Sequence, residues 1–155
     1  VLSTLHTNSA PATINRLLNM GVEPFMVTAA LNLIAAQRLA RRLCKECAQP
    51  FKYDKEGCIE AGMLAEEYDA GESKKGAGCR ICGETGFKGR VALYEIMPMS
   101  DLLKEAVLQG YSAQELKRVS IEDGMQTLRR SGLAKINQGM TSLAEVVRVT
   151  RADNT

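Results

Sequence analysis

The 155 residues are 45% hydrophobic and 25% charged, which is ordinary for a globular protein of one medium domain or two small ones. A formal net charge of +2 is too small to indicate a nucleic acid or an anionic membrane as the partner. No apolar run reaches the about 18–20 residues that span a bilayer, and with no Trp, four Tyr and three Phe the chain offers little surface for stacking bases.

The first part of the chain predicts one strand and two helices. Residues 1–5 are apolar and β-branched, which favours a strand, and their abrupt start without Met or a leader indicates a piece of a longer protein. A helix is predicted from about Pro11 to Met20, because apolar residues recur there at helical spacing. A second helix is predicted from Glu23-Pro24 through Ile34, and it is apolar on nearly all sides, so we expect it to be buried.

The middle of the chain predicts two strands on either side of a cysteine-rich excursion. Residues 38–43 favour a strand that leads into the first cysteines, although a helix end would give a similar pattern. Residues 57–70 are predicted to be helical, and residues 71–78 to be a loop rich in Gly, Lys and Ser. Its part 74–78 is interpreted as a flexible linker, because it lacks the spacing and the following helix of a phosphate loop. The alternating segment 90–97 predicts a strand that ends at Pro98.

The last third predicts four short helices that form a small bundle packed on the sheet. Their starts are marked by a capping residue or by the first apolar position, at Ser100, Ser112, about Met125 and Ser142. Capping boxes, in which a Ser side chain and a Glu side chain satisfy each other's backbone donors, are predicted for Ser112 with Glu115 and Ser142 with Glu145.

Four of the five cysteines form two Cys-x-x-Cys pairs, Cys44/Cys47 and Cys79/Cys82, which is the most specific chemical signal in the chain. A tetrahedral Zn²⁺ site takes four thiolates at about 2.3 Å, and two short knuckles that face each other supply that arrangement. The segment between the pairs is longer than the about 15–20 residues usual in zinc ribbons, so it carries an insertion. The pattern predicts a structural zinc site.

Two other interpretations of the cysteines are disfavoured. Two disulfides would require an oxidising compartment, whereas a chain without a secretory signal is expected in the reducing cytosol. A thioredoxin-like dithiol would need one Cys-x-x-Cys at a helix start rather than two matched pairs. Cys58, alone between the pairs, is interpreted as a small buried hydrophobic residue.

Segments along nearly the whole chain resemble one protein family, in the order in which the family has them. They are Leu2-Ser-Thr-Leu-His6-Thr-Asn8, Arg16-Leu-Leu18, Met20-Gly-Val-Glu-Pro-Phe25, Gln37-Arg-Leu-Ala-Arg-Arg-Leu-Cys44, Gly86-Phe-Lys-Gly-Arg90, Tyr94-Glu95, Pro98-Met99 and Leu128-Arg-Arg-Ser-Gly-Leu133. Together they resemble the C-terminal ATPase part of the GspE/PilB-type traffic ATPases, which drive type II secretion and type IV pilus assembly.

The resemblance implies an α/β fold: the C-terminal half of a RecA-like ATPase domain with an inserted tetracysteine zinc subdomain and a C-terminal helical bundle. It divides the chain into a partial ATPase core over residues 1–43, a zinc subdomain over 44–83, a returning core strand over 84–98 and a helical subdomain over 99–155. His6 is implied to be the His-box histidine, which senses or polarises the γ-phosphate in the intact enzyme; a turn histidine that bonds local backbone is the alternative.

The resemblance also implies partners and cofactors. The intact parent is expected to be a cytoplasmic homohexamer that binds ATP and Mg²⁺ and reaches the inner membrane through a platform protein. The 155 residues contain no Gly-x-x-x-x-Gly-Lys-Ser/Thr, so we expect the fragment alone to be inactive. The alternative function is a stand-alone zinc-ribbon module that binds protein or nucleic acid, and the low charge argues against nucleic acid.

A basic cluster, Arg38, Arg41 and Arg42, precedes the first cysteine pair and leaves three interpretations open. The cations could complement a zinc–thiolate centre, whose formal charge is about −2. They could also be a solvated strand surface, or a contact with a neighbouring subunit of the implied hexamer.

Overall fold

The computed structural model describes residues 1–153, which contain eight α-helices and four β-strands. In chain order they are α1 (Ala10–Asn19), α2 (Pro24–Ala30), β1 (Leu33–Leu43), β2 (Ala48–Pro50), α3 (Lys55–Glu60), α4 (Ala65–Ala70), β3 (Lys74–Gly76), β4 (Phe87–Pro98), α5 (Asp101–Leu108), α6 (Ala113–Glu122), α7 (Leu128–Asn137) and α8 (Leu143–Val149). Strand β1 pairs with β4, and β2 pairs with β3 in antiparallel register. The expectation of a mixed fold of helices and strands is confirmed. Within the described residues, no helix has the length and apolar character to cross a membrane.

The chain forms two compact units, and each is built from two stretches of sequence. The first unit comprises Val1–Gln37 and Tyr94–Thr127, and the second comprises Arg38–Leu93 and the chain from Leu128 onward. The boundaries fall inside β1 and β4, so each of these long strands contributes to both units. The four-segment division expected from the sequence stays a prediction.

The first unit is a group of four helices with one end of each long strand. Helix α1 packs on α2 and α6, and α5 packs on α2 and α6. Its best-buried side chains include Ile14, Leu103 and Leu116. Ser9 caps α1 by accepting the N–H of Ala12 at 3.3 Å, which fixes where the helix begins.

The second unit holds the cysteine pairs and packs α3 against α4, α4 against α7, and α7 against α8. One hydrophobic cluster lies among these helices and consists of Cys58, Ala61, Met63, Leu133, Ile136 and Val146. Cys58 is only 1% exposed, so its interpretation as a buried hydrophobic residue is confirmed.

Three predicted elements differ from the structure. Residues 1–5 form no strand, because none of the described residues pairs with them and a strand needs a hydrogen-bonded neighbour. The second helix ends at Ala30 rather than Ile34. That helix is not buried on most sides either, since Phe25 and Met26 are 68% and 56% exposed.

The insertion between the cysteine pairs is more ordered than predicted. The predicted helix over 57–70 is two short helices, α3 and α4, separated by Gly62 at φ +111°, a backbone conformation that glycine adopts easily. The predicted flexible linker over 74–78 contains β3, whose backbone bonds to β2 fix its register.

The four C-terminal helices are confirmed, with starts within one or two residues of those predicted except for α7, which begins at Leu128. Helices α5 and α6 belong to the first unit, and α7 and α8 to the second. A single bundle of the four stays a prediction. The Ser halves of both capping boxes are confirmed, because Ser112 and Ser142 accept the N–H groups of Glu115 and Glu145.

Candidate metal centre

The first cysteine pair follows directly from the end of β1. Cys44 is the residue after Leu43, and a tight turn closes when the N–H of Ala48 donates to the carbonyl of Cys44 at 3.0 Å. The turn returns the chain so that both side chains face inward. Cys44 and Cys47 are 1% and 8% exposed.

The second pair lies in a loop that leads into β4. The N–H of Glu84 donates to the carbonyl of Cys79 at 2.8 Å, and Gly83 adopts a left-handed φ of 65° that lets the loop turn tightly. The Sγ of Cys82 accepts the N–H of Cys79 at 3.3 Å and the N–H of Gly86 at 3.2 Å. These N–H groups orient the sulfur and favour its thiolate form.

Backbone hydrogen bonds hold the two pairs against each other. The N–H of Cys44 donates to the carbonyl of Gly86 at 2.9 Å, and the N–H of Ala77 donates to the carbonyl of Cys47 at 3.1 Å. A Cβ added at Gly76 would lie 2.1 Å from the carbonyl oxygen of Gly86, so only glycine permits this approach of the two backbones.

The four sulfur atoms form a compact cluster in which every pair lies within 4.8 Å. The Sγ–Sγ distances are 3.8 Å for Cys44–Cys79, 3.9 Å for Cys47–Cys82 and 3.7 Å for Cys79–Cys82. Four thiolates at about 2.3 Å from a tetrahedral Zn²⁺ stand about 3.8 Å apart. A disulfide would bring two sulfurs to about 2.05 Å. The cluster therefore fits a tetrahedral metal site and no disulfide.

The environments of the sulfurs differ strongly. Burial, together with the neighbouring sulfurs, raises the pKa of the Cys47 thiol to about 12. Burial also acts to raise the pKa of Cys82, but the N–H donors of Cys79 and Gly86 outweigh it and lower that pKa to about 6. Because the thiols must lose protons to bind metal, uptake of a cation here releases protons.

Among the basic residues near the first pair, Arg41 has defined partners. A terminal nitrogen of its guanidinium lies 2.9 Å from Glu145 Oε1, and the Arg41 Nε donates to that same oxygen at 3.0 Å. The guanidinium carbon also lies 4.3 Å from the centre of the Phe87 ring. The Arg41 side chain is 54% exposed, but it is held by a buried carboxylate and by an aromatic ring.

His6 lies on the exposed segment before α1, in the first unit, whereas the four cysteines belong to the second. The segment is tied down beside it: Thr7 Oγ1 lies 2.7 Å from Thr13 Oγ1, and the carboxylate of Glu95 accepts the N–H of Ala10 at 2.8 Å. The contacts of His6 itself define no site among the described residues, and its His-box role stays a prediction.

Sequence reasoning missed two buried carboxylates, Glu95 and Glu145, each 2% exposed. Glu95 occupies an inward position of β4, in step with Val91, Leu93 and Met97. Strand positions that face inward normally carry apolar residues, so an acidic residue at such a position could have been recognised from the sequence. The sequence predicts Glu145 only as a capping residue. Of its two ion-pair partners, Arg148 lies one turn away, whereas Arg41 is too distant in sequence for any local pattern to indicate.

Known proteins are similar to this chain along nearly its whole length. The family model described as "Type II/IV secretion system protein" matches residues 1–148. The type IV pilus assembly ATPase PilB of Myxococcus xanthus is 54% identical over 99% of this chain and 27% of its own length. PilB of Thermus thermophilus is 44% identical over 95% of this chain and 16% of its own length. The type II secretion system protein E of Aeromonas hydrophila is 37% identical over 99% of this chain and 30% of its own length.

The family match along almost the whole chain, on a mixed fold that carries a four-cysteine cluster, defines the class as a secretion system protein. The chain belongs to the type II/IV secretion system protein family. It spans less than a third of the length of each of these relatives.

Proposed function

We propose that the chain is the C-terminal part of a hexameric ATPase that powers type IV pilus assembly or type II protein secretion. The observation that carries the proposal is the family match over residues 1–148, joined to relatives that are pilus assembly and secretion proteins by name. The intact parent would act in the cytoplasm, held at the inner membrane by a platform protein. The ATP and Mg²⁺ site would be completed by residues outside this chain, so the chain alone would not hydrolyse ATP.

Within that motor, His6 would contribute to the nucleotide site. It lies just before the N-terminus of α1, and the segment around it is fixed by Ser9, Thr13 and Glu95. An imidazole held at such a position can donate a hydrogen bond to a phosphate oxygen. RecA-like architecture belongs to the same proposal.

The cysteine cluster would hold one structural Zn²⁺ through Cys44, Cys47, Cys79 and Cys82. Four thiolate ligands complete a tetrahedral shell and leave no open position for catalysis, so a zinc bound here supplies a cross-link rather than a Lewis acid. The four cysteines lie in a tight turn after β1 and in a loop before β4, and backbone hydrogen bonds join these two segments. The metal would stabilise this arrangement.

The test has two parts. The first is elemental analysis of the chain purified without added metal, combined with thiol titration. One zinc per chain, with only Cys58 titrating in denaturant until a chelator is added, is expected. Absence of metal would contradict the zinc assignment.

The second part replaces the matching segment of the Myxococcus xanthus pilus assembly ATPase with this chain and measures pilus assembly in cells lacking the native protein. Restored pili that are lost again on His6→Ala are expected for a pilus motor. A parallel exchange into the Aeromonas hydrophila secretion protein tests the second branch. Failure of both chimeras, despite normal protein levels, would refute the motor proposal.

A further inference from the structure

We propose that Arg41, held in place by Glu145 of helix α8, is a positioning residue that braces the two cysteine pairs at the separation a metal requires. The inference rests on the zinc site proposed above and adds residues outside the ligand set. Its consequence is that metal binding and the docking of α8 stabilise each other.

The brace begins at the backbone just before the first pair. Glu145 Oε2 accepts the N–H of Arg41 at 2.8 Å, and the Thr141 hydroxyl donates to the carbonyl of Arg41 at 2.9 Å. Two residues further on, the N–H of Leu43 donates to the carbonyl of Met140 at 2.9 Å. The end of β1 is therefore hydrogen-bonded to residues 140–145 immediately before Cys44.

The side chain of Arg41 reaches the other pair. Its guanidinium lies over the ring of Phe87, and Phe87 is the residue after Gly86. Gly86 makes two contacts with the metal centre: its N–H donates to Cys82 Sγ at 3.2 Å, and its carbonyl accepts the N–H of Cys44 at 2.9 Å. Arg41 is thus linked to both cysteine pairs. Its backbone is hydrogen-bonded just before the first pair, and its side chain stacks on the residue that follows Gly86.

The carboxylate that orients Arg41 is itself fixed. Arg148, one turn away on α8, donates from Nε to Glu145 Oε1 at 3.0 Å and from a terminal nitrogen to Oε2 at 2.9 Å. The Glu145 side chain is 2% exposed, so removal of one partner would leave a buried charge poorly compensated. A carboxylate held from both sides gives Arg41 one preferred orientation.

Residues that orient metal ligands from outside the ligand set typically change metal affinity by about 10–100-fold when they are replaced. Arg41→Lys keeps the positive charge but loses the planar fork that pairs with a carboxylate and stacks on a ring. Phe87→Leu keeps apolar bulk and loses the ring, whereas Phe87→Tyr keeps the ring. Together, these three substitutions distinguish the contacts of the guanidinium with the carboxylate and the ring from the positive charge of Arg41 and from the apolar bulk of Phe87.

The experiment measures zinc affinity of the whole chain by competition with a chromophoric chelator, and the absorption spectrum of the Co²⁺ form. Arg41→Lys and Phe87→Leu are expected to weaken zinc binding about 10–100-fold and to shift the Co²⁺–thiolate band. Phe87→Tyr is expected to bind like the wild type. The matched control is Glu67→Gln, which breaks the Glu67–Arg130 ion pair of the same unit without contacting β1 and should leave affinity unchanged.

A second measurement needs no variant. If α8 and the metal centre are coupled, adding zinc to the wild-type chain slows hydrogen exchange of the Val146 amide, which lies in α8. Wild-type affinity in Arg41→Lys, or a Val146 amide indifferent to zinc, would overturn the brace while leaving the zinc proposal standing. A wild-type chain that binds no zinc would refute the zinc proposal and the brace together.

Discussion

Replacement of Gly132 by Ala tests how tightly α7 and α8 pack. A Cβ added at Gly132 would lie 2.5 Å and 3.0 Å from the two methyl groups of Val146, and 3.2 Å from a methyl group of Leu93. Both neighbours are fully buried, so neither side chain can swing into solvent. Overpacking of this kind costs about 1–3 kcal/mol.

The loss of a glycine also has a stabilising effect, which offsets part of this steric cost. Ala in place of a helical Gly stabilises a protein by about 0.4–1 kcal/mol, because the unfolded chain loses freedom. The clash at 2.5 Å is below any normal carbon–carbon contact, so the steric term wins. We expect Gly132→Ala to reduce the free energy of unfolding by about 1–2 kcal/mol.

The chain offers a matched control in Gly57, a helical glycine of α3. A Cβ there would meet its nearest atoms, in Asp54 and Leu143, at 3.4 Å and 3.8 Å, which is ordinary van der Waals contact. Gly57→Ala should therefore stabilise the protein by about 0.4–1 kcal/mol. The assay is urea unfolding of both variants under identical zinc conditions. A Gly132→Ala protein as stable as the wild type, or more stable, would refute the reasoning. The reasoning would be supported if Gly132→Ala lowers the free energy of unfolding less in a Val146→Ala background than in the wild type.

Three further predictions follow from the buried carboxylates and the metal centre. Glu95→Leu leaves the Ala10 N–H without its acceptor at a cost of about 1–3 kcal/mol, so hydrogen exchange of that amide should accelerate at least several-fold; unchanged exchange would contradict protection of this amide by the carboxylate. The hydrogen bonds from Arg148 and Arg41 lower the pKa of Glu145 to about 2; since this lies below its usual value of about 4.5, the stability it contributes is full above about pH 4.5 and declines toward pH 2. The destabilisation by Glu145→Gln in chelator should accordingly shrink between pH 6 and pH 3, and a pH-independent difference would contradict the ion pair. Removal of zinc by a chelator should lower the midpoint of thermal unfolding, and Cys44→Ser should abolish that dependence; an equal response of both proteins would place the metal elsewhere.

Local chemistry explains which parts of the structure the sequence could predict. The cysteine pairs were identifiable because metal ligation depends on a short spacing between cysteines, which is visible in the sequence itself. The helix starts at Ser100, Ser112 and Ser142 were predictable because a capping side chain acts within three residues of itself. In each case the interaction and its signal lie in the same few residues.

The errors share one cause, which is that the deciding partner is distant in sequence. The apolar segment 1–5 has the composition of a strand, yet composition does not supply the neighbour that a strand requires. Helix α2 is apolar, but the amount of it that is buried depends on what packs against it. The role of Arg41 is set by Glu145 and Phe87, which lie on other elements and which no local pattern connects to it.

The interleaving of the two compact units has a consequence for the newly made chain. A ribosome completes all four cysteines well before it reaches α8, and at about 5–20 residues per second that interval is on the order of several seconds. Until then, the carboxylate that orients Arg41 does not exist, and residues 140–145 are not there to bond the end of β1. For that period the nascent polypeptide presents the four thiols without the contacts that α8 and the residues before it supply in the folded chain.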